Sequence, residues 1–447
     1  MSLSSSKNLS NSSISNLPSG AGRSFDKSNK LLDEVLQVIP TASQTFSKSY
    51  LQYPRGHAPL FIQRGQGSRV WDIDGNEYID MANGLMAVSL GYNDHDVNAA
   101  IIDQLSRGIS FSLPTELEYE LAQLLVNIIP CAEMVRFGKN GSDATSAAIR
   151  LARAYTGRDK VAVCGYHGWQ DWYIGSTARH LGVPDTVRSM TKTVPYNDLD
   201  ALEGLLKTEE YAAFILEPMN VAEPLPGYLE GVRAITEKTG TVLVFDEVVT
   251  GFHYALGGAQ EYFGVTPDLS SFGKGMGNGM PISAVLGRRE IMKLQDDIFF
   301  SGTFGGEALS LAASIAVIKK MQREPVIEKL WSAGQKLSEA VEGLIRENEL
   351  EDVLAYKGLA PWKVAMFSPR GDVSAMAIRT FLQKDLIEQG VLFLVSHNMS
   401  YAFSERDHDD VVSAYRRTLA SLANKLREGA LMSNMGCPII EPIFKVR

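Results

Sequence analysis

The feature that most constrains the fold of this chain is a regular alternation of short apolar segments with amphipathic helical segments between residues 134 and 245. The last apolar segment, at 241–245, is almost continuously hydrophobic, which is typical of a strand buried on both faces of a parallel sheet. Alternation of this kind favours an open α/β sheet with helices on both faces. The predicted strands are 134–137, 160–164, 212–216 and 241–245, and the predicted helices between them are 144–155, 198–206 and 229–239.

The segments on either side of this region have other patterns. Residues 69–80 alternate, break at Asp74-Gly75 and alternate again, which predicts a β-hairpin. Residues 349–432 mix strand and helix patterns and predict a smaller α+β lobe. Apolar spacing and the flanking prolines predict further helices at 31–39, 116–129, 306–323 and 326–348.

Composition limits the possible partners. The 447 residues include 43 Lys+Arg and 52 Asp+Glu, for a formal charge of −9. This acidity argues against a nucleic-acid-binding face, and no apolar run approaches the ~18 residues of a membrane span. Three cysteines and seven histidines show no disulfide framework and no metal-ligand spacing. We therefore expect a cytoplasmic protein without nucleic-acid, membrane or metal partners, although the serine-rich, acid-poor residues 1–28 leave an organelle transit peptide open beside a disordered tail.

Residues 271–279 are the densest in glycine, but they fit neither nucleotide-binding motif. A P-loop needs a glycine five residues before its Gly-Lys pair and Ser or Thr after the lysine, where this chain has Asp268 and Gly275. A dinucleotide fingerprint needs a helix after its glycines, and Pro281 follows them here. A Gly-x-Ser-x-Gly elbow is absent from the sequence, so a hydrolase reading has no nucleophile.

Lys274 lies inside this stretch and is a candidate for Schiff-base chemistry. A lysine in a desolvated site has a lowered pKa and is nucleophilic, and flanking glycines let a flat ligand approach. Asp246 follows the strongest predicted strand, and open α/β sheets bind ligands at such strand ends. A carboxylate there can keep a pyridine nitrogen protonated. Taken singly, the two residues equally fit a surface-loop lysine and a helix-capping aspartate.

Two further segments complete a constellation. Asn140-Gly141-Ser142-Asp143 lies between a predicted strand and helix, where N–H groups, the helix dipole and a hydroxyl can hold an anion. Tyr166-His167-Gly168-Trp169 follows the next strand, and its aromatics can stack on a planar ring. Alone, these segments fit an ordinary helix cap and core packing. Together with Lys274 and Asp246 they supply the four parts of a pyridoxal phosphate site: lysine, pyridinium carboxylate, phosphate cradle and stacking aromatic.

The chain resembles the class III (fold-type I) pyridoxal-phosphate-dependent aminotransferases, and within them the glutamate-1-semialdehyde 2,1-aminomutase group. The resemblance spans about residues 30–430. It implies an α/β fold with a mostly parallel seven-stranded sheet between helices in a large domain, plus a smaller α+β domain built from both chain ends. The blocks that carry it are 67–80, 140–160, 166–168, 245–269, 273–274 and 301–303. The domain boundaries that we infer are 1–28 (disordered tail), 29–90 (N-terminal part of the small domain), 91–325 (large cofactor-binding domain), 326–432 (C-terminal small domain) and 433–447 (tail).

The resemblance also implies roles for individual residues. Lys274 would form the Schiff base with pyridoxal 5'-phosphate and shuttle the proton between substrate and cofactor, and Asp246 would pair with the ring nitrogen. Thr303 would reach the phosphate bound by the neighbouring subunit, which implies a homodimer with shared active sites. The other implied cofactor contacts are Gly141 and Ser142 at the phosphate, Val248 beneath the ring, Tyr166 on its other face with His167 beside it, and Glu217 near the cofactor.

The substrate side departs from the aminomutases. Their carboxylate-binding arginine near the N-terminus matches residues 44–50 here, which contain Lys48 and no arginine. Leu85-Met86-Ala87 replaces a Trp-Gly-Pro segment, and 397–400 offers no acid where the mutases carry a glutamate. We therefore predict a transaminase that moves an amino group from an amino-acid donor to an aldehyde or ketone. An aminomutase of the glutamate-1-semialdehyde type is the main alternative, followed by racemase-type chemistry and a non-catalytic cofactor-binding protein.

Overall fold

The computed structural model of the chain describes residues 22–441, and its secondary structure alternates strands and helices along most of that length. The strands are β1 (Ile62–Gln66), β2 (Arg69–Asp72), β3 (Glu77–Asp80), β4 (Met134–Gly138), β5 (Lys160–Cys164), β6 (Thr191–Thr193), β7 (Tyr211–Leu216), β8 (Val242–Asp246), β9 (Leu269–Phe272), β10 (Ser283–Gly287), β11 (Leu354–Lys357), β12 (Trp362–Phe367), β13 (Val391–Leu392) and β14 (Ser396–Asn398). The helices are α1 (Asp26–Val35), α2 (Asn83–Met86), α3 (His95–Arg107), α4 (Glu116–Ile128), α5 (Gly141–Thr156), α6 (Asp171–Ile174), α7 (Asp185–Ser189), α8 (Leu199–Leu206), α9 (Tyr228–Thr239), α10 (Ala259–Phe263), α11 (Arg289–Met292), α12 (Ala308–Arg323), α13 (Val326–Glu347), α14 (Ala375–Glu388) and α15 (Glu405–Arg427).

The central sheet has seven strands in the order β4-β10-β9-β8-β7-β5-β6. Strands β6, β5, β7, β8 and β9 run parallel to their neighbours, and β10 lies antiparallel between β9 and β4. The predicted mostly parallel seven-stranded sheet is therefore confirmed. Its parallel part places the carboxyl ends of β5, β7, β8 and β9 along one edge, which is where such sheets bind ligands.

Both faces of the central sheet are covered because its inner strands are apolar on both sides. Every residue of β7 and β8 is buried. In β7, Ala213 and Ile215 pack into the core cluster that includes α5, whereas Phe214 and Leu216 pack into the cluster that includes α8 and α9. This period-two division explains why the sequence of a doubly covered strand reads as a continuous hydrophobic run.

A smaller domain joins the two ends of the chain. The predicted hairpin forms β2 and β3, which pair antiparallel, and β13 pairs parallel with β3 through Val391 opposite Ile79. Strands β11, β12 and β14 form a second, three-stranded sheet. A single apolar cluster contains Ile79 and Met81 from the N-terminal part and residues of α13, α14 and α15 from the C-terminal part. The predicted small domain built from both chain ends is therefore confirmed, while its residue boundaries stay predictions.

The structure corrects the prediction for the start of the described chain. Helix α1 begins at Asp26 and ends at Val35, not at 31 and 39, so the last residues of the predicted tail 1–28 are helical. Residues 1–21 lie outside the described part. The carboxylate of Asp74 accepts hydrogen bonds from the N–H groups of Lys27 (2.7 Å) and Ser28 (3.0 Å), and Phe25 is buried. Because this cap comes from a residue far along the chain, local apolar spacing did not predict it.

The predicted C-terminal tail is likewise held where it is described. Met435 and Ile440 are buried, and the N–H of Ile440 donates to Oγ1 of Thr380 at 3.0 Å. Residues 442–447 lie outside the described part. Across residues 22–441, no helix combines the length and the apolar character required to cross a bilayer.

Candidate active site

A cavity of about 590 Å³ lies at the carboxyl edge of the central sheet. It brings together eight of the nine residues predicted from the sequence, although they come from five separate parts of the chain. The ninth, Thr303, does not line this cavity. The eight are Gly141, Ser142, Tyr166, His167, Glu217, Asp246, Val248 and Lys274.

Lys274 is separated from the end of β9 by Gly273 alone and begins a short 3₁₀ turn that runs to Gly277. Its backbone is left-handed, with φ of 40°, a conformation that costs a non-glycine residue free energy and concentrates at functional sites. Gly275 permits this turn, because a Cβ there would come within 2.6 Å of the Ser89 hydroxyl. Burial lowers the pKa of the Lys274 amine, and the nearby carboxylates of Glu217 and Asp246 oppose that shift. The amine is therefore closer to its nucleophilic neutral form than an exposed lysine.

Asn278 ends the lysine turn and ties it to the N-terminal part of the chain. Its side-chain oxygen accepts the N–H of Leu90 at 3.0 Å, and its side-chain nitrogen donates to the carbonyl of Gly91 at 3.0 Å. Its own backbone is left-handed, with φ of 44°, which asparagine tolerates better than most residues. Both halves of one amide are thus used to fix the position of the turn that carries Lys274.

Removing this amide is expected to destabilise the fold even when the replacement residue tolerates the left-handed backbone. Asn278→Gly keeps the left-handed backbone and loses both hydrogen bonds to Leu90 and Gly91, so the free energy of unfolding should fall by about 1–3 kcal/mol. Asn278→Ala should lose roughly 1 kcal/mol more, because alanine is strained in this conformation. Urea denaturation of the apoprotein measures both. Asn93→Gly is the matched control: Asn93 is also left-handed, with φ of 58°, but bonds only exposed side chains. An Asn278→Gly protein as stable as Asn93→Gly would contradict the expectation.

Asp246 ends β8 and is almost fully buried. One of its carboxylate oxygens lies 2.8 Å from Nδ1 of His167, and the other accepts the N–H of Val248 at 3.2 Å. Nε2 of His167 lies 3.1 Å from the carbonyl oxygen of Cys164, at the end of β5. The histidine ring is therefore fixed between two oxygen acceptors, and it holds the carboxylate in one orientation at the cavity wall.

The start of α5 forms the predicted anion cradle. The side-chain oxygen of Asn140 accepts the N–H of Asp143 at 3.1 Å, and Asp143 in turn accepts the N–H groups of Lys139 and Asn140. This capping box leaves the first-turn N–H groups of Gly141 and Ser142 without intrahelical acceptors, next to the Ser142 hydroxyl and at the positive end of the helix dipole. Such a helix start is suited to a phosphate.

Close packing shapes the cradle around its glycines. A Cβ at Gly141 would come within 2.9 Å of a methyl group of Val248, and a Cβ at Gly168 would collide with the Ser142 hydroxyl. Gly168 also has a positive φ of 107°. Both positions therefore require glycine so that the helix start can pack against the aromatic segment and against Val248, which follows β8.

Tyr166 and Glu217 line the remaining side of the cavity. The Tyr166 ring is about half exposed and lies edge-on to Tyr173, with ring centroids 5.6 Å apart. Glu217 accepts the Tyr166 N–H at 3.0 Å and the Asn220 side-chain amide at 3.1 Å. Burial, and then the charge of Asp246, raise the pKa of Glu217. The cavity therefore contains, beside Asp246, a second carboxyl group whose pKa lies above the usual value for glutamate.

These residues fit pyridoxal 5'-phosphate by the chemistry of their donors and acceptors. The cradle offers N–H groups and a hydroxyl to a phosphate, Lys274 offers an amine to an aldehyde, and Asp246 offers a carboxylate to a ring nitrogen. Val248 and Tyr166 provide an aliphatic and an aromatic surface for a planar ring.

Thr303 lies in a different cavity, of about 650 Å³. That cavity is lined by residues 110–114 and by the exposed loop 300–307, and none of its lining residues also lines the cavity of Lys274. Within one chain, the structure therefore does not bring Thr303 to the phosphate cradle.

Several residues of the Lys274 cavity were not predicted from the sequence. Lys139 immediately precedes the cradle, and a cation beside a predicted anion site is a signal that sequence reading could have used. Met280 lies close in sequence to Lys274, whereas Gln44 and Thr45 come from the distant N-terminal segment 44–50 that matches the region of the mutase arginine.

The fold and this site define a pyridoxal-phosphate-dependent transferase of fold type I. Comparison with known sequences specifies it further: the chain belongs to the class III aminotransferases, because the family described as "Aminotransferase class-III" matches residues 51–404. The chain is therefore an enzyme whose cofactor is pyridoxal 5'-phosphate.

Named relatives include both an aminotransferase and an aminomutase. The chain is 36% identical over 413 residues to a 3-aminobutyryl-CoA aminotransferase of Cloacimonas acidaminovorans, covering 90% of this chain and 98% of the relative. It is 36% identical over 426 residues to a glutamate-1-semialdehyde 2,1-aminomutase of Archaeoglobus fulgidus, covering 88% and 100%. Among solved structures, the FumI protein of Sphingopyxis sp. MTA144 in its PLP internal aldimine form is 29% identical, with a TM-score of 0.82 over 91% of this chain and 97% of that chain.

Proposed function

We propose that this aminotransferase moves an amino group from an amino-acid donor to an aldehyde or ketone acceptor, with Lys274 as the catalytic base and covalent anchor. The observation that carries the proposal is the position of Lys274 itself. Lys274 lines a cavity together with Asp246 at the end of β8 and the anion cradle at the start of α5, and burial lowers the pKa of its amine. Pyridoxal phosphate supplies the electron-withdrawing ring that stabilises negative charge at the substrate carbon.

Each residue then has a task that follows from its contacts. Lys274 would take a proton from the substrate carbon that carries the amino group and would deliver it to the carbon of the cofactor that carried the aldehyde. Asp246, oriented by His167, would hold a proton on the ring nitrogen of the bound cofactor. Gly141 and Ser142 bind the phosphate through the helix start. Val248 and Tyr166 would contact the two faces of the ring, and Glu217 accepts the backbone N–H of Tyr166.

The substrate side supports a transaminase over an aminomutase. Gln44 and Thr45 line the cavity, whereas Lys48, in the same segment 44–50 that matches the region of the mutase arginine, is exposed and does not line it. A neutral amide and a hydroxyl cannot form the bidentate ion pair of an arginine with a carboxylate. The aminomutase remains the alternative, favoured by the identity to the Archaeoglobus fulgidus enzyme.

An absorption experiment separates the two functions. The purified protein with pyridoxal phosphate is mixed with single amino acids such as L-glutamate or L-alanine. A transaminase loses the visible band of the lysine-bound cofactor and releases the corresponding oxo acid. An aminomutase instead converts glutamate 1-semialdehyde without any co-substrate. A band that no amino acid discharges would refute the transaminase proposal.

We further propose that the enzyme acts in the cytoplasm and that its substrates are small molecules. We also propose that two copies of the chain form a homodimer with shared active sites. Thr303 is exposed in a loop at a cavity separate from that of Lys274 in the same chain. Around it, four large apolar side chains are at least half exposed: Phe111, Leu113, Phe299 and Phe304. An apolar patch of this kind supports a protein interface, and it would carry Thr303 toward the cradle of the partner subunit.

Hybrid dimers test this sharing. Thr303→Ala alone should weaken pyridoxal phosphate binding about three- to tenfold, the effect of one lost hydrogen bond. In a hybrid of a Lys274→Ala subunit and a Thr303→Ala subunit, only the second subunit can give the absorption band. If Thr303 acts across the interface, that site binds the cofactor with wild-type affinity. Affinity equal to that of the Thr303→Ala homodimer would show that the residue acts within its own chain, against the proposal.

A further inference from the structure

We infer that Lys139 is a ligand of the cofactor phosphate, in addition to the helix start at Gly141 and Ser142. The inference rests on the phosphate cradle of the proposed site. Lys139 lines the same cavity and precedes the cradle by one residue in the chain. Among the described residues that line the cavity, the only cations are Lys139 and Lys274. Since Lys274 is the anchor for the aldehyde, Lys139 is the full positive charge available at the phosphate end.

The charge of the ligand explains why a cation is needed there. A phosphate monoester carries about −1.5 to −2 charges near neutral pH. The start of a helix offers the equivalent of only about half a positive charge. The carboxylate of Asp246 lies in the same cavity and adds no positive charge for the phosphate. A lysine at the cradle therefore supplies the positive charge that the backbone N–H groups alone do not.

The geometry holds Lys139 in place before any ligand arrives. Its Nζ lies 3.0 Å from Oε2 of Glu307, and its backbone N–H donates to Asp143 at 2.9 Å. An ammonium group has three N–H donors, and the contact with Glu307 uses one. The other two can bind phosphate oxygens while the ion pair stays formed.

Glu307 is itself rigid, which makes the ion pair a fixed support. Its carboxylate caps α12 by accepting the N–H of Leu309 at 2.7 Å, and it also accepts the Ser310 hydroxyl at 2.6 Å. Although burial acts in the opposite direction, hydrogen bonds from Ser310 and Lys139 hold the pKa of Glu307 below its usual value. Glu307 is thus held by its own hydrogen bonds as a fixed partner for the Lys139 ammonium.

The experiment compares two ligands that differ only in the phosphate. Apoprotein is titrated with pyridoxal 5'-phosphate and with pyridoxal, and binding is followed by absorbance. Lys139→Gln should weaken pyridoxal phosphate binding about ten- to hundredfold, the effect of one lost charge-assisted hydrogen bond. Pyridoxal has no phosphate for Lys139 to contact, so its binding to Lys139→Gln should change less than about twofold. Lys139→Arg keeps a positive charge and should retain most of the wild-type affinity for pyridoxal phosphate. Inorganic phosphate should also raise the thermal unfolding temperature of the wild-type apoprotein more than that of Lys139→Gln.

Lys160→Gln is the matched control, because Lys160 is also paired with one carboxylate, 2.9 Å from Glu210, but at the opposite edge of the sheet. Its affinity for both ligands should equal that of the wild type. Equal weakening of pyridoxal and pyridoxal phosphate in Lys139→Gln would overturn the inference in favour of a packing role, and so would unchanged affinity for both. If the wild-type protein binds neither ligand, the proposed cofactor site itself is refuted. A defect seen only in Lys139→Gln bears on the role of Lys139 and leaves the proposed site standing.

Discussion

Lys274→Ala protein is expected to bind pyridoxal phosphate without a covalent bond and to lose at least roughly a thousandfold in turnover, a fall typical of removing a residue that transfers protons in the reaction. No second amine can replace it, because Lys139, the other described cation of the cavity, is held by Glu307 at 3.0 Å. Borohydride reduction followed by mass spectrometry measures the covalent bond, and turnover is measured with the donor found by absorption. Lys160→Gln is the control, because Lys160 lies outside the cavity and its replacement leaves Lys274 intact. Retention of the bond or of full turnover in Lys274→Ala would contradict the assignment.

The same variant has a predictable effect on stability. Because burial lowers the pKa of Lys274 in the folded apoprotein, the unfolded chain binds the proton more tightly. Folding of the wild-type apoprotein is therefore penalised at pH values below the lowered pKa, and the penalty disappears above the unfolded value near 10.5. Apo Lys274→Ala should gain stability relative to the wild type as the pH falls through this window. Urea denaturation at several pH values measures it, and a difference that does not vary with pH would contradict the burial of the amine.

The central sheet was predictable from sequence because its parallel strands are buried on both faces. Strands β5, β7 and β8 are almost wholly apolar, so their pattern is local. Strand β9 was missed because its middle residues are Ser270 and Ser271, which are buried only through pairing with β8 and β10. Sequence reading therefore placed Lys274 in a glycine-rich stretch without showing that the lysine follows a strand at the same sheet edge as Asp246.

The residues of the candidate site likewise fall into those that a local sequence pattern predicts and those that depend on distant partners. Lys274, Asp246 and the cradle carry their own chemical signals, since glycines, a strand end and a capping box are local features of the sequence. Asn278 and Lys139 depend on partners far away in the chain, at Leu90 and Glu307, and no local pattern reveals such pairs. The role of Thr303 follows from resemblance alone, because it needs a second copy of the chain. Hydrogen bonds and ion pairs between polar groups far apart in the chain therefore could not be predicted from the sequence.

Asp246→Asn is expected to bind the cofactor and form the covalent bond with Lys274, but to lose roughly 10²- to 10³-fold in turnover, the usual effect of removing one fixed electrostatic contact from a transition state. Asparagine has nearly the same shape and can still face Nδ1 of His167 and the N–H of Val248. It lacks the negative charge that keeps a proton on the ring nitrogen, so the ring withdraws electrons less strongly.

This variant separates a catalytic role of Asp246 from a structural one. Aspartate and asparagine cap turns and helices about equally well, so an aspartate that only accepts the Val248 N–H would tolerate the change. Asp198 is the matched control: it caps α8 by accepting the N–H of Ala201 at 2.9 Å and does not line the Lys274 cavity. Asp198→Asn should therefore keep wild-type turnover. If Asp246→Asn kept it too, the carboxylate would be a turn cap, and the charge opposite the ring nitrogen would have to come from another residue.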